Sequence, residues 1–310
     1  MMILTILLSV TLAADDAAPV PEAPFGHAER YLSTPLPDAL INGLAVDIDA
    51  ERLYLGGMAD HSLYAVSLEN PGAPERLAGP QDGLGPVYGL AIDGRARILY
   101  AATGGTDDGA EPALAAYDLF TGEISHLHTM DGAGRFSDVV AQDGIVYASD
   151  AKAGRVYLLS SPRGVLEIYA EDERFDSLQG LALTRGALFA ADPENGIWRI
   201  DAVSREAELV EALGGDLTGF SSLATDSYGE LYAVRSSAGT HGLYHIALQD
   251  FGQAARVSPL LTGHPDFGDP AGLRISDGRF FILANAQWPA FADGASAPRH
   301  DPVVLFKPVP

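Results

Sequence analysis

One pattern recurs six times along this chain of 310 residues: an apolar strand, often opened by glycine, then a turn, then a second apolar strand carrying an aromatic residue. The copies read NGLAVDIDAERLYLGG from Asn42, YGLAIDGRARILYAAT from Tyr88, SDVVAQDGIVYASD from Ser137, QGLALTRGALFAAD from Gln179, SSLATDSYGELYAVR from Ser221 and AGLRISDGRFFILAN from Ala271. They begin 42 to 50 residues apart. That period is one propeller blade, a unit that cannot bury its own faces and must stack on its neighbours.

A third strand follows each copy, at 62–68, 115–119, 155–159, 196–201, 242–248 and 303–307. An outer, alternating strand comes next at 75–78, 123–128, 165–169, 207–213 and 255–261, five for six blades. The chain stops after the third strand of the sixth copy, while the segment ERYLS, 29–33, precedes the first copy and has the composition of an outer strand. The predicted fold is therefore all-β: a six-bladed propeller of four-stranded antiparallel blades, closed by 29–33 pairing with 303–307. Closure removes the free sheet edges that an open array would expose. No helical period runs for ten residues or more, and the unbroken repeat leaves no boundary for two sandwiches.

Composition narrows function. Forty-two acidic against nineteen basic residues give a formal charge of −23, which repels a phosphate backbone and excludes nucleic acid as an expected partner. The absence of cysteine excludes disulfides, thiolate catalysis and Cys-ligated zinc. Lysine occurs only at Lys152 and Lys307. Residues 1–13, MMILTILLSVTLA, read as a signal peptide, too short for a stable membrane span, although no basic residue precedes the apolar run and a buried strand is the alternative. An Ala-, Pro- and acid-rich tail follows over 14–26, and 27–310 form a single propeller domain. The expected protein is secreted or periplasmic, has no membrane span in its mature form, and is monomeric.

The Gly-Leu-Ala-Val-Asp strand followed by a Leu-Tyr strand, repeated six times over nearly the whole mature chain, resembles the SMP-30/gluconolactonase/LRE-like propellers; NHL-repeat and strictosidine-synthase-like propellers share the pattern. In lactonase-like members the resemblance implies a divalent cation, commonly calcium, at the channel mouth, held by acidic and Asn side chains just before the innermost strands. Such an ion polarises a lactone carbonyl or activates water. The matching positions here are Asn42, Tyr88, Ser137, Gln179, Ser221 and Ala271, a ring without formal charge, with Asp138 beside it and Asp269 one loop position from the sixth copy.

On that resemblance Asn42, Asp138 and Gln179 are the candidate calcium ligands, and Asp138 is the candidate catalytic residue. Tyr88, Ser137, Gln179, Ser221 and Trp288 are expected to line the substrate channel. Three of them have a plainer alternative: Asn42-Gly43 as turn chemistry, Asp138 bonding backbone at a strand entrance, Trp288 as a plug over the core. Asp150 and Asp192 end equivalent strands and read as turn caps, and the acidic stretch 106–111 as a solvated loop. His126 and His128 read as a surface pair on one side of an outer strand. His61, His241 and His264 lie in loops where one could serve as a base. Two functions stay open: hydrolysis of lactones or related esters, and a non-catalytic envelope propeller that binds a small molecule or a protein partner on its loop face.

Overall fold

The computed structural model describes residues 28–106, 109–237, 240–292 and 294–310. The expected signal peptide and the whole of the tail lie outside the described residues, as do Asp107 and Asp108 of the acidic loop. Among the described residues, no helix is long and apolar enough to cross a membrane.

The strands fall into six small sheets arranged as blades. The first holds β2 (Ile41–Asp47), β3 (Arg52–Gly57), β4 (Ser62–Ser67) and β5 (Glu75–Ala78). The second holds β6 (Val87–Asp93), β7 (Ile98–Thr103), β8 (Leu114–Asp118) and β9 (Glu123–His128). The third holds β10 (Phe136–Gln142), β11 (Ile145–Asp150), β12 (Arg155–Leu159) and β13 (Glu167–Glu171). The fourth holds β14 (Leu181–Thr184), β15 (Ala187–Asp192), β16 (Gly196–Asp201) and β17 (Ala207–Leu209). The fifth holds β19 (Phe220–Thr225), β20 (Leu231–Arg235), β21 (Gly242–Gln249) and β22 (Ala254–Thr262). The sixth holds β23 (Leu273–Ser276), β24 (Arg279–Leu283) and β25 (Val303–Pro308), completed by β1 (Glu29–Ser33). Glu29 stands opposite Phe306 and Ser33 opposite Val303, so the N-terminal strand closes the ring as expected.

One outer strand departs from that expectation. The segment expected to run unbroken over 207–213 divides at Val210: β17 stays with its own blade, while β18 (Glu211–Gly214) pairs in parallel with β22 and makes the fifth sheet five-stranded. Val210 is buried in the seam between the two blades, and anchoring it there directs the chain across to the neighbour.

The core is a set of seams between blades. Each of the six buried apolar clusters joins two neighbouring blades, as where Leu44 and Leu53 of the first meet Phe281 and Leu283 of the sixth. The third residue of every copy, Leu44, Leu90, Val139, Leu181, Leu223 or Leu273, is at most 2% exposed. Burying each such side chain contributes about 2 kcal/mol.

The second residue of each copy explains the glycines. Inner strands of adjacent blades approach so closely that a Cβ on Gly89 would lie 2.6 Å from the Asp138 Cα, and one on Gly180 would lie 2.5 Å from the Ser222 Cα. Asp138 and Ser222 are the copies without glycine here, and both reach the next blade with their side chains. Asp138 Oδ2 accepts the Leu181 N–H at 3.0 Å, and Ser222 Oγ accepts the Leu273 N–H at 3.0 Å.

Candidate ligand site at the channel mouth

The six ring residues converge on one cavity of about 420 Å³ at one end of the central channel: Asn42, Tyr88, Ser137, Gln179, Ser221 and Ala271 all line it, and Trp288 joins them. A backbone device produces this convergence. In four blades the inner strand shifts register, between Ile41 and Gly43, Val87 and Gly89, Phe136 and Asp138, and Phe220 and Ser222. The residue skipped in each case is Asn42, Tyr88, Ser137 or Ser221. A bulge of this kind leaves one residue out of the ladder and re-aims its side chain, here into the channel.

The lining is polar. Asn42 Nδ2 donates to the Tyr88 carbonyl at 2.7 Å, which ties the first blade to the second at the rim. Ser137 Oγ donates to the Arg135 carbonyl at 3.3 Å and accepts the Ala151 N–H. Gln179 is held through its backbone, its carbonyl accepting from Ser149 Oγ at 2.7 Å. Ser221 Oγ is buried and has no hydrogen-bond partner among the described residues. Ser177, Ser236 and Ser237 add further hydroxyls. Trp288, 43% exposed, opens the four-residue helix α1 (Trp288–Phe291) on the rim. That insertion is pinned at its base: Gln287 Nε2 donates to the His300 carbonyl and Gln287 Oε1 accepts the His300 N–H, both at 2.7 Å. Arg299 secures the same segment from outside, stacked 4.2 Å over Phe291 and paired with Asp38 at 3.0 Å.

Asp138 is not alone in the channel. Its Oδ1 accepts from Arg274 Nη2 at 3.0 Å, and its Oδ2 is already taken by the Leu181 N–H. The guanidinium is itself tied down, with Nε and Nη2 donating to the Leu90 carbonyl and Nη1 to the Leu273 carbonyl. Four of its five N–H groups are thereby used. Arg274 borders both this cavity and a second one, of about 290 Å³, at the other end of the channel. The second cavity is lined mainly by Ala45, Ala91, Val140, Ala182 and similar apolar residues. The Asp138–Arg274 pair thus stands between a mouth lined by varied polar side chains and one lined mainly by small apolar side chains.

This donor set does not fit a divalent cation. Among the described residues no three His, Asp or Glu side chains gather in a metal-binding cluster. The carboxylate nearest the ring, Asp138, has both oxygens engaged and a guanidinium beside it, while Asn42 and Gln179 bring no charge. A hard dication takes most of its affinity from ligand charge, and here the nearest charge is already neutralised.

Arg274 escaped the sequence reading, though the repeat carried a signal. It occupies the fourth position of its copy, where the others have Ala45, Ala91, Val140, Ala182 and Ala224. Arg135, also on the cavity, lies two residues before Ser137 and was not singled out either. The histidines stand apart from the cavity. His126 and His128 do share a side, their rings 4.3 Å apart, but His128 is buried against the loop of the next blade, with Nε2 3.1 Å from the Pro162 carbonyl, and so is not a surface residue. Burial, and then the neighbouring His126, lower its pKa below the ordinary 6.5. None of His61, His241 and His264 lines the cavity. Asp150 and Asp192 cap turns as expected: Asp150 Oδ1 accepts the N–H groups of Lys152 and Ala153, and Asp192 Oδ1 those of Glu194 and Asn195.

No family model matches the sequence, and no curated protein matches it. Solved structures do match in fold. Virginiamycin B lyase from Staphylococcus aureus is 13% identical, with a TM-score of 0.61 over 83% of this chain and 82% of its own. A gluconolactonase from Xanthomonas campestris is 16% identical, with a TM-score of 0.60 over 93% and 99%. A pyrroloquinoline-quinone-bound aldose sugar dehydrogenase from Streptomyces coelicolor is 16% identical, with a TM-score of 0.59 over 93% and 99%. A lyase, a hydrolase and a dehydrogenase on one scaffold make the likeness one of architecture. That architecture is the six-bladed, gluconolactonase-like propeller.

Proposed function

We propose that this chain binds a small, oxygen-rich organic molecule in the polar mouth of its channel, and that it does so without a resident divalent cation. The observation that carries this reading is the convergence of the bulged ring residues on one cavity where, among the described residues, the Ser221 hydroxyl is buried without a partner. An orphaned hydroxyl costs about 1–3 kcal/mol unless an incoming group satisfies it, so the site favours a ligand that brings hydroxyls or carbonyls. Trp288 on the rim supplies an apolar surface against which a sugar-like ring can stack.

Hydrolysis of a lactone or related ester in the same cavity is the second reading, favoured by the fold shared with a gluconolactonase. Asp138, with both oxygens engaged, is poorly placed to take a proton from water. Glu194 and Asp269 also line the cavity, and among the described residues neither side chain makes a hydrogen bond, so these are the carboxylates that would serve as general base. Export to the periplasm or medium, supported by the apolar leader, belongs to the same proposal and is read by N-terminal sequencing of the mature protein.

The test is a titration of the purified protein with neutral sugars and their lactones, followed by calorimetry and by lactone-opening rate. Saturable binding that weakens in both Ser221→Ala and Trp288→Ala supports the site. Binding indifferent to both substitutions would place the ligand elsewhere. Lactone opening lost in Asp269→Asn or Glu194→Gln would select the enzyme reading over simple binding.

A further inference from the structure

The polar mouth contains a cation that is in no ion pair among the described residues. Arg135 lines the cavity, and among the described residues its guanidinium makes no ion pair and no hydrogen bond. Its Nε is buried outright and unpartnered. The side chain is nonetheless held in place. The group lies over the Tyr88 ring, 5.2 Å from its centroid, and Gly104 packs close against both, since a Cβ there would lie 2.9 Å from a Tyr88 ring carbon and 3.6 Å from the Arg135 Cγ. The backbone beneath is clamped by Asp150, whose carboxylate accepts the Gly134 N–H at 2.7 Å and the Arg135 N–H at 2.9 Å. Asp150 is fully buried, so this clamp is a fixed part of the third blade.

We infer that Arg135 is the anchor for a carboxylate, and that the ligand of the polar mouth is a polyhydroxylated carboxylic acid rather than a neutral sugar. This inference rests on the channel mouth being the ligand site. A guanidinium presents a planar fork that matches a carboxylate with two parallel hydrogen bonds. The Nε–H is covered by protein, so the carboxylate pairs end-on with the two Nη groups, which are not among the buried unpartnered atoms. Its position over the Tyr88 ring restrains the guanidinium, so less ordering is left to occur on binding.

The charges facing the cavity favour a monoanion. Asp138 is matched by Arg274, leaving Arg135 against Glu194, which is exposed to water, and Asp269. These charges already sum to −1, so an anion is held only by direct pairing with the Arg135 fork, and a phosphate dianion meets twice the opposing field that a carboxylate does, increased by the charge of −23 on the whole chain. The buried Ser221 hydroxyl and the amide of Gln179 provide for the hydroxyl-bearing remainder of the ligand.

The experiment is calorimetry of the purified full chain with matched probes: gluconate, galactonate and xylonate against glucitol, galactitol and xylitol, with glucose 6-phosphate as the dianionic probe. At least one aldonate should bind tenfold to a hundredfold more tightly than its alditol, the range given by a charge-assisted hydrogen bond. Arg135→Gln should erase that preference while leaving the weaker alditol binding in place, and added salt should reduce it in the wild type. Equal binding of aldonate and alditol by the wild type would overturn the inference without needing any variant. So would an aldonate preference that survives in a folded Arg135→Gln protein, or tighter binding of the sugar phosphate. Alditol binding that depends on Ser221 alongside no aldonate preference would sink the carboxylate anchor and leave the channel-mouth reading standing. No binding of any probe would sink both.

Discussion

The two ends of one channel differ although the same six strands build both. At the mouth formed by the bulged residues the copies diverge, with Asn42, Tyr88, Ser137, Gln179, Ser221 and Ala271 at equivalent places. At the other end the copies stay alike, presenting Ala45, Ala91, Val140, Ala182 and Ala224. Between them stands Arg274, paired with Asp138. Residues that only pack against neighbouring blades are held to one size by the narrowing ring. Residues thrown out of the ladder by a bulge are free of that restriction, and there the chemistry of a site can vary.

Breaking the Asp138–Arg274 pair should have the largest effect. Arg274→Ala leaves Asp138 with a buried, uncompensated charge, and urea unfolding should show a loss of about 3–5 kcal/mol. The double variant Arg274→Ala, Asp138→Ala should lose less than the two single changes summed, because it removes both charges together. Additive losses would mean that the two side chains are not the pair described here. Next in size, Gly180→Val should cost roughly 1–3 kcal/mol, because its side chain would press on the Ser222 backbone at the tightest point of the ring. The control Gly94→Ala, where a Cβ would meet nothing within 4 Å, should be nearly silent.

A smaller change sharpens the contrast from the polar side. Ser221→Ala removes a buried hydroxyl that has no partner among the described residues, so the free protein should become slightly more stable, by up to about 1 kcal/mol, while ligand binding weakens. A loss of stability would show that the hydroxyl is satisfied in the folded chain. The smallest effect lies away from the channel, at His128. Its pKa is lowered on folding, so the unfolded chain takes up the proton first. That contribution is therefore present above about pH 6.5 and declines as the pH falls through and below that value. Thermal melts between pH 7.5 and 5.5 should show a shallow loss that flattens in His128→Gln.

The blades and their closure were legible because a repeat is a long-range constraint written locally. Once six copies are counted, the missing outer strand has only 29–33 to supply it, and β1 does pair with β25. The ring residues were legible for the same reason, since one position in each copy marks one place in space. What escaped notice depends on contacts between copies. His128 was read as exposed because its own strand alternates, while the loop that covers it belongs to the next blade. Val210 looked like the middle of a strand and is instead the residue at which the chain changes sheets. Arg135 stands out only through what it lacks, and a missing partner becomes visible only when the fold has brought every neighbour into place. Arg274 is the one residue that breaks a run of small residues at the fourth position of the copies, a signal carried by the differences between repeats rather than by their likeness.

Asp138 is where the two accounts of this channel diverge most, since a metal site and an arginine pair make opposite demands on one carboxylate. The most direct measurement is calorimetric titration of the chelator-stripped protein with calcium, repeated with magnesium, manganese and zinc. A channel whose central charge is already matched by Arg274 predicts no site tighter than millimolar for any of them, and no change in Asp138→Asn. A single site of micromolar affinity that disappears in Asp138→Asn would contradict it, and would make the polar mouth a metal centre.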